Sequence, residues 1–173
     1  MRVSRVAFVC WLLVLSLGAA ERLKEAQLKA AFVFNGAKFV EWPSDSFANP
    51  ADPLVMCVLG KGGVEEELRL ATGRRVSTHS MIVRRISDAQ DAAGCHILFV
   101  NESVGRRWLS LEKIKETGIL TVGETDEFIS QGGAINLRLE GNNVRIQVNL
   151  EAAHRARLEM SSKLLGLSEV VRK

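Results

Sequence analysis

Three cysteines, three histidines and a short run of carboxylates are the side chains of this 173-residue chain whose types invite chemistry. His79, His96 and His154 stand at no ligand spacing from one another, and Cys95 beside His96 would point to the opposite face of a strand, so a metal centre has no support. Glu124, Asp126 and Glu127 could supply an acid and a base in a cleft. The simpler reading is a solvated loop that caps the next helix. Gly60-Lys61-Gly62-Gly63 follows a strand and opens a helix, where backbone amides can cradle a phosphate. Its spacing fits neither the P-loop nor the dinucleotide fingerprint, and Glu65, Glu66 and Glu67 would repel an anion, so a structural turn is preferred there too. Ser161-Ser162 has no elbow motif around it. Nothing in this inventory implies a cofactor, and the chain reads as a binding protein rather than an enzyme.

The environment of the cysteines depends on the N-terminus. Arg2 and Arg5 lead into an apolar run, Val6 to Leu17, followed by Gly18, Ala19 and Ala20. This is the pattern of a secretory signal over residues 1–20, cleaved near Ala20. The run is shorter than the roughly 20 residues a membrane span needs, which favours cleavage over an uncleaved anchor. Cys10 lies inside the run, without a small-residue box before it, so lipoprotein processing is not expected. Removal of residues 1–20 leaves 21 basic against 20 acidic residues, a net charge of +1. Phosphate neutralisation needs a concentrated basic field, so nucleic acid is not an expected partner. Export would place Cys57 and Cys95 where thiols can be oxidised. One disulfide would stabilise the fold by roughly 4 kcal/mol in the chain-entropy model. Two buried free thiols in neighbouring strands are the other reading, and the residues leave both open.

The elements that must position these groups follow from hydrophobic pattern. A helix is expected from Glu21 to Val40, stopped by Trp42-Pro43, and a loop over residues 44–53. Leu54 to Leu59 and His96 to Val100 are continuous apolar runs, the mark of strands covered on both faces. Met81 to Val83 and Ile119 to Val122 are further strands. Helices are expected at Val64–Ala71 and Val104–Lys115, the latter with Trp108, Leu111 and Lys115 along it, and helical turns at Asp88–Ala93 and Glu127–Gln131. Strands alternating with helices predict an α/β fold with a mostly parallel sheet and helices on both faces. Ile135–Glu140 and Val144–Leu150 around Gly141-Asn142-Asn143 predict a C-terminal antiparallel hairpin. A last helix is expected over Glu151–Leu165, with Ala153, Ala156, Met160 and Leu164 on one face. Residues 21–173 read as one domain.

The first helix carries more apolar surface than one sheet can cover. Leu23, Ala26, Ala30, Val33, Ala37 and Val40 form one stripe, and Leu28, Phe32, Phe39 and Trp42 lie on roughly the opposite side. The second stripe is met either by the 44–53 loop or the last helix, or by another protein.

The run from Ala31 to Pro43 resembles the signature of the YfiR family, in which a helix ends in a Lys-Phe-Val-Glu-Trp-Pro stretch, here Lys38 to Pro43. The likeness continues through Cys57 to Gly60, Gly73-Arg74, Cys95 to Val100, Leu120 to Gly123, Gly132 to Ile135 and Ser161 to Leu165. It implies a periplasmic regulator with a Rossmann-like fold, often dimeric. The best-understood members hold the periplasmic part of an inner-membrane diguanylate cyclase inactive, which restrains cyclic di-GMP signalling and biofilm formation. Cys57 and Cys95 match positions where that family has a disulfide. This chain departs from the family in Gly36, where an aromatic is usual, and in lacking a second cysteine pair, which puts a two-disulfide switch in doubt.

The leading expectation is therefore an inhibitory binding module for the periplasmic domain of a membrane sensor or diguanylate cyclase, with Phe32, Phe39, Glu41, Trp42 and Pro43 meeting the partner and a homodimer possible. The alternative is a periplasmic receptor for a small ligand held by Gly60, Lys61, Gly62, Gly63, Gly123 and Glu124 at the strand ends.

Overall fold

A computed structural model describes residues 4–105, 118–141 and 143–172 of the chain. Its centre is β2 (Leu54–Leu59), β5 (Ile97–Val100) and β6 (Leu120–Gly123), apolar strands whose alternate side chains serve two different cores. Leu54, Met56, Val58, Ile97, Phe99, Leu120 and Val122 face one side, while Cys57, Leu59, Leu98 and Val100 face the other. Burial on both faces is the reason these segments read as continuous apolar runs. The eight-stranded sheet has the order β10-β8-β7-β6-β5-β2-β4-β3. Its other members are β3 (Arg75–Val76), β4 (His79–Ile86), β7 (Ile135–Glu140), β8 (Asn143–Asn149) and β10 (Glu169–Val171). Strands β4, β2, β5, β6 and β7 run parallel to their neighbours, the doubly wound order 2-1-3-4-5 when counted from β2. The expected antiparallel hairpin is β7–β8, and the short β3 also pairs antiparallel with β4.

One face is covered by α1 (Ser4–Gly36), which packs on α2 (Gly63–Arg69) and on the sheet. Ala26, Ala30, Val33, Ala37 and Val40 of its predicted stripe are buried, whereas Leu23 is 52 % exposed. The helix stops at Gly36 rather than Val40. A 3-10 turn at Ala37–Phe39 follows, and Val40–Glu41 are extended as β1. The expected helix over Val104–Lys115 lies mostly outside the described residues, as does Asn142 of the hairpin turn. Over Glu127–Gln131 the Gln131 N–H donates to the Glu127 carbonyl at 2.9 Å, the single helical turn expected there.

The last predicted helix is not one helix. Residues 150–171 form α3 (Leu150–Arg155), β9 (Glu159–Met160), α4 (Ser162–Gly166) and β10. The break is a Schellman motif: Arg157 takes φ 57°, its N–H donates to the His154 carbonyl at 2.8 Å, and the Leu158 N–H donates to the Ala153 carbonyl at 2.9 Å. Glycine usually fills that left-handed position, so an arginine there conceals the stop. The chain then pairs β9 antiparallel with β1, and Ser161 caps α4 through its hydroxyl to the Leu164 N–H. Ala153, Ala156 and Leu164 are buried as their spacing suggests, but Ala153 lies on α3, Ala156 caps its end and Leu164 lies on α4.

Three glycines show two opposite kinds of packing. Gly133 and Gly123 clamp the ring of Phe128, which is 1 % exposed, and a Cβ at either position would sit inside that ring's contact shell. Gly36 has right-handed helical φ and ψ and open space where a Cβ would go. In chemical denaturation Gly133→Ala should therefore lose about 1–3 kcal/mol by overpacking, whereas Gly36→Ala should gain about 0.4–1 kcal/mol.

Candidate functional site

In a doubly wound sheet of this order the crevice lies at the carboxyl ends of β2 and β5, where successive connections leave in opposite directions. Here the protein's own side chains fill part of it. Asn101, 4 % exposed at the end of β5, donates from Nδ2 to Glu124 Oε1 at 2.7 Å, and the Glu102 N–H donates to the same oxygen at 3.1 Å. Lys29 of α1 reaches the other oxygen of Glu124 at 2.9 Å and Glu25 at 2.6 Å. The side chains of Lys29 and Glu124 are 6 % and 3 % exposed, so this is a buried ion pair joining α1 to the strand ends. Burial opposes the charged lysine, but the hydrogen bonds and fields of Glu25 and Glu124 outweigh it and raise its pKa above the usual 10.5.

This corrects one expectation: Glu124 does not belong to a solvated loop. Asp126 does, pairing with Arg138 at 3.1 Å with its side chain 78 % exposed. Glu65 is also buried, at 2 %, and is held by the Arg85 guanidinium. Lys29 occupies the apolar stripe, three residues after Ala26 and four before Val33. A lysine on a buried helix face was the signal that could have revealed the pair.

The glycine loop is shaped by what it packs against. Gly60 has φ 98°, and a Cβ there would meet Val104, Asn101 and Ser103. A Cβ on Gly62 would meet the Asn101 amide. The Lys61 N–H donates to Ser103 Oγ at 3.2 Å, and that hydroxyl donates to the Lys61 carbonyl at 3.2 Å. Gly63 allows α2 to approach Ala26 of α1. Gly60 and Lys61 open onto a cleft of about 760 Å³ that Arg85, Ser87 and Asp88 border from the end of β4. Gly123 lies apart beneath Phe128, and Glu124 faces Lys29. Of the six residues proposed at the strand ends only Gly60 and Lys61 line the open cleft; Gly62 and Glu124 belong to the closed polar cluster, Gly63 packs on Ala26 and Gly123 on Phe128.

Cys57 of β2 and Cys95, just before β5, form a disulfide with their Cα atoms 5.8 Å apart. The Arg84 guanidinium lies against both sulfurs, at 3.5 and 3.4 Å from Nη2, and also donates to the Ala93 carbonyl at 3.1 Å. The bond stands on the face of the sheet opposite α1.

The aromatic residues singled out on the expected first helix gather on the covered face, Phe32 on α1 and Phe39 and Trp42 beyond its end. Phe32, Phe39 and Trp42 are half-buried against the main core. Phe32 and Phe39 border a small apolar cavity of about 110 Å³ whose floor is Leu120, Val122, Ile135 and Leu137. Lys163 of α4 sits 5.1 Å from the Phe39 ring centre. Trp42 donates from Nε1 to the His96 carbonyl at 3.2 Å. Glu41 is exposed opposite Glu159 in the β1–β9 ribbon, and Pro43 begins the loop that carries Phe47. The second stripe is therefore partly covered by α4 and the loop, with part of each ring left accessible. Among the described residues no cluster of His, Cys, Asp and Glu could hold a metal ion, and no helix is long and apolar enough to cross a membrane.

The buried pair should make itself felt asymmetrically. In urea melts Lys29→Met should cost about 3–5 kcal/mol, because it leaves the buried Glu124 carboxylate without its cation; Glu124→Leu should cost less, because Glu25 at 2.6 Å still pairs with Lys29, and the double variant should cost less than the sum of the two. Reduction of Cys57–Cys95 should remove roughly 4 kcal/mol from the same melts, the closure entropy of a loop spanning 38 positions.

Comparison with known proteins places these features. No curated protein sequence matches the chain. Among the solved structures that share the fold, two align at low identity as follows. A conserved domain protein from Vibrio cholerae is 10 % identical, with 69 % of this chain and 55 % of that one aligned at a TM-score of 0.52. The ABC domain from Streptococcus pneumoniae, in complex with L-Trp, is 7 % identical, with 84 % of this chain and 60 % of that one aligned at 0.50. This chain thus spans less than two thirds of either structure's length. The family model described as YfiR/HmsC-like matches residues 26–169, from the buried stripe of α1 to the first residue of β10. On that match, which includes the Lys38–Pro43 signature, the chain belongs to the YfiR/HmsC-like family.

Proposed function

We propose that this chain is a periplasmic regulator that binds the periplasmic domain of an inner-membrane sensor, in the first instance a diguanylate cyclase, and holds it inactive. Cyclic di-GMP and biofilm formation would then rise when the regulator is lost. Family membership supports the regulatory class. The observation that carries the contact surface is the accessible edge of Phe32, Phe39 and Trp42, continued by Glu41 and Pro43, beside an apolar cavity. Half-buried aromatics on a rigid base are the kind of anchor that dominates protein interfaces. Inhibition follows if this surface has higher affinity for the inactive state of the sensor, since a binder shifts a two-state equilibrium only by its differential affinity. In this reading residues 1–20 direct export and are removed, residues 21–173 form the working domain, alone or as a homodimer, and no catalytic step is involved.

One observation favours a second reading, a periplasmic receptor for a small ligand. The cleft beside Gly60 and Lys61 has the size of a ligand site and a cationic side chain at its edge. A small molecule that raises the melting temperature of wild type but not of Lys61→Ala would establish it.

The regulator is tested by capture from solubilised membranes with the wild-type protein and a Phe39→Ala, Trp42→Ala variant whose fold has been verified by circular dichroism. Wild type should recover a membrane sensor, and the variant at least about tenfold less of it, corresponding to about 1.4 kcal/mol of binding. Equal recovery by both would remove the aromatic face from the interface. Recovery of no sensor would remove the regulator reading itself.

A further inference from the structure

His96 is a second polar junction on the α1 side of the molecule, and the reading above makes no use of it. Its main-chain N–H donates to the Val55 carbonyl at 2.8 Å, and its carbonyl accepts from the Leu120 N–H at 2.8 Å and from Trp42 Nε1 at 3.2 Å. The ring is equally committed. Nδ1 accepts the Val55 N–H at 3.0 Å, while Nε2 lies 3.0 Å from the Ser46 carbonyl, which can only accept. These partners fix one protonation state, the neutral ring with its hydrogen on Nε2. Phe47 stacks on this ring at 4.3 Å and 8°, and on the other side stacks on His79 at 4.0 Å and 12°. His79 bonds through Nδ1 to the Asp52 carbonyl. The segment between β1 and β2 is thus fastened to the sheet at Ser46, Phe47 and Asp52 by two imidazoles with a phenyl ring between them.

We propose that His96 is a proton-operated latch: protonation at Nδ1 turns its acceptor into a donor facing the Val55 N–H, and releases the 44–53 segment together with the Trp42 indole. The charged ring could still donate to Ser46, but two N–H groups would face each other at the Val55 position; the ring relieves that clash by turning out of its place, which breaks the Ser46 bond and the stack on Phe47 that hold the segment. The titratable and charged groups around it pull in both directions. His79 from β4 opposes a second cation and Asp52 from the loop favours one, while Asp45, next to Ser46, is already paired with Arg157 at 3.1 Å. Burial is the largest influence and holds the His96 pKa below its ordinary 6.5; the Ser46 carbonyl opposes this, His79 adds to it and Asp52 opposes it. The sign follows. The neutral ring's contribution is fully present above pH 6.5 and is lost as pH falls through the lower, folded-state pKa.

The latch is a property of the isolated chain and needs no partner for its test. Nuclear magnetic resonance from about pH 8 to about pH 5 would follow the His96 ring, exchange of the Val55 amide normalised to its intrinsic rate, and the Trp42 indole N–H. Val55 exchange should rise by up to about tenfold per pH unit between pH 6.5 and the folded pKa, then level off, with the Trp42 signal moving at the same midpoint. His96→Asn, whose Oδ1 can still accept from Val55, should abolish that step. Titration of His96 with Val55 and Trp42 unchanged would overturn the latch, as would an undiminished step in His96→Asn. Should that variant not fold, Phe47→Leu leaves the imidazole and removes the stack. Its midpoint should move towards 6.5, and an unchanged midpoint would overturn the role of the stack.

Discussion

A parallel sheet must be covered on both faces, because its strands carry apolar side chains in both directions. Much else in this molecule follows from that requirement. Strands β2, β5 and β6 are too apolar to leave a side in water, so α1 has to lie across them even though its covering stripe includes a lysine. Lys29 cannot be buried as a bare charge. Glu124 therefore has to be buried with it, Asn101 has to satisfy the second oxygen of Glu124, and Gly62 has to leave room for Asn101. A polar chain of this kind fixes where a helix stops sliding along a sheet, which apolar contact alone does poorly.

The same requirement organises the two candidate sites. On the α1 face, the helix runs out at Gly36, and the next three aromatic residues, Phe39, Trp42 and Phe47, close the gap between the helix end, α4 and the sheet. They close it incompletely, so apolar area remains at an edge where the backbone is well fastened. The Ser161 N–H bonds to the Phe39 carbonyl at 2.9 Å, and the β1–β9 ribbon follows at once. Glu41 and Glu159 oppose one another across it, a pairing of like charges that costs stability in an isolated sheet. On the other face the disulfide joins β2 to the start of β5, and Arg84 screens it from solvent. The parts that could meet another molecule thus stand on a base held covalently from behind.

What could be read from the sequence divides along physical lines. Strands buried on both sides announce themselves by unbroken apolar runs, and Leu54–Leu59 and Ile97–Val100 fall where their patterns place them. The β7–β8 hairpin was legible from its Gly-Asn-Asn sequence. The C-terminal region was misread because its stop signal is an arginine in a left-handed conformation, and because Ala153, Ala156, Met160 and Leu164 keep helical spacing although they lie on three elements. The family was legible in six consecutive residues, Lys38 to Pro43, whereas the job of each was not. Trp42 looked like an apolar anchor, but its indole N–H is spent on His96. His96 looked like an isolated histidine because its partners, Ser46, Val55 and Phe47, are brought to it only by the tertiary fold. Glu124 was misplaced for the same reason: its cation lies 95 positions earlier in the chain.

The clamp of Gly123 and Gly133 around Phe128 bears on how this sequence can change over time. The three residues form a lock that opens in one order only. Adding a methyl group to either glycine while the phenyl ring is in place produces an overpacked intermediate, whereas trimming the ring first leaves a cavity that a later alanine can fill. Routes to a different core at this corner therefore run through a loss at position 128, and only a lineage with stability to spare can take that step.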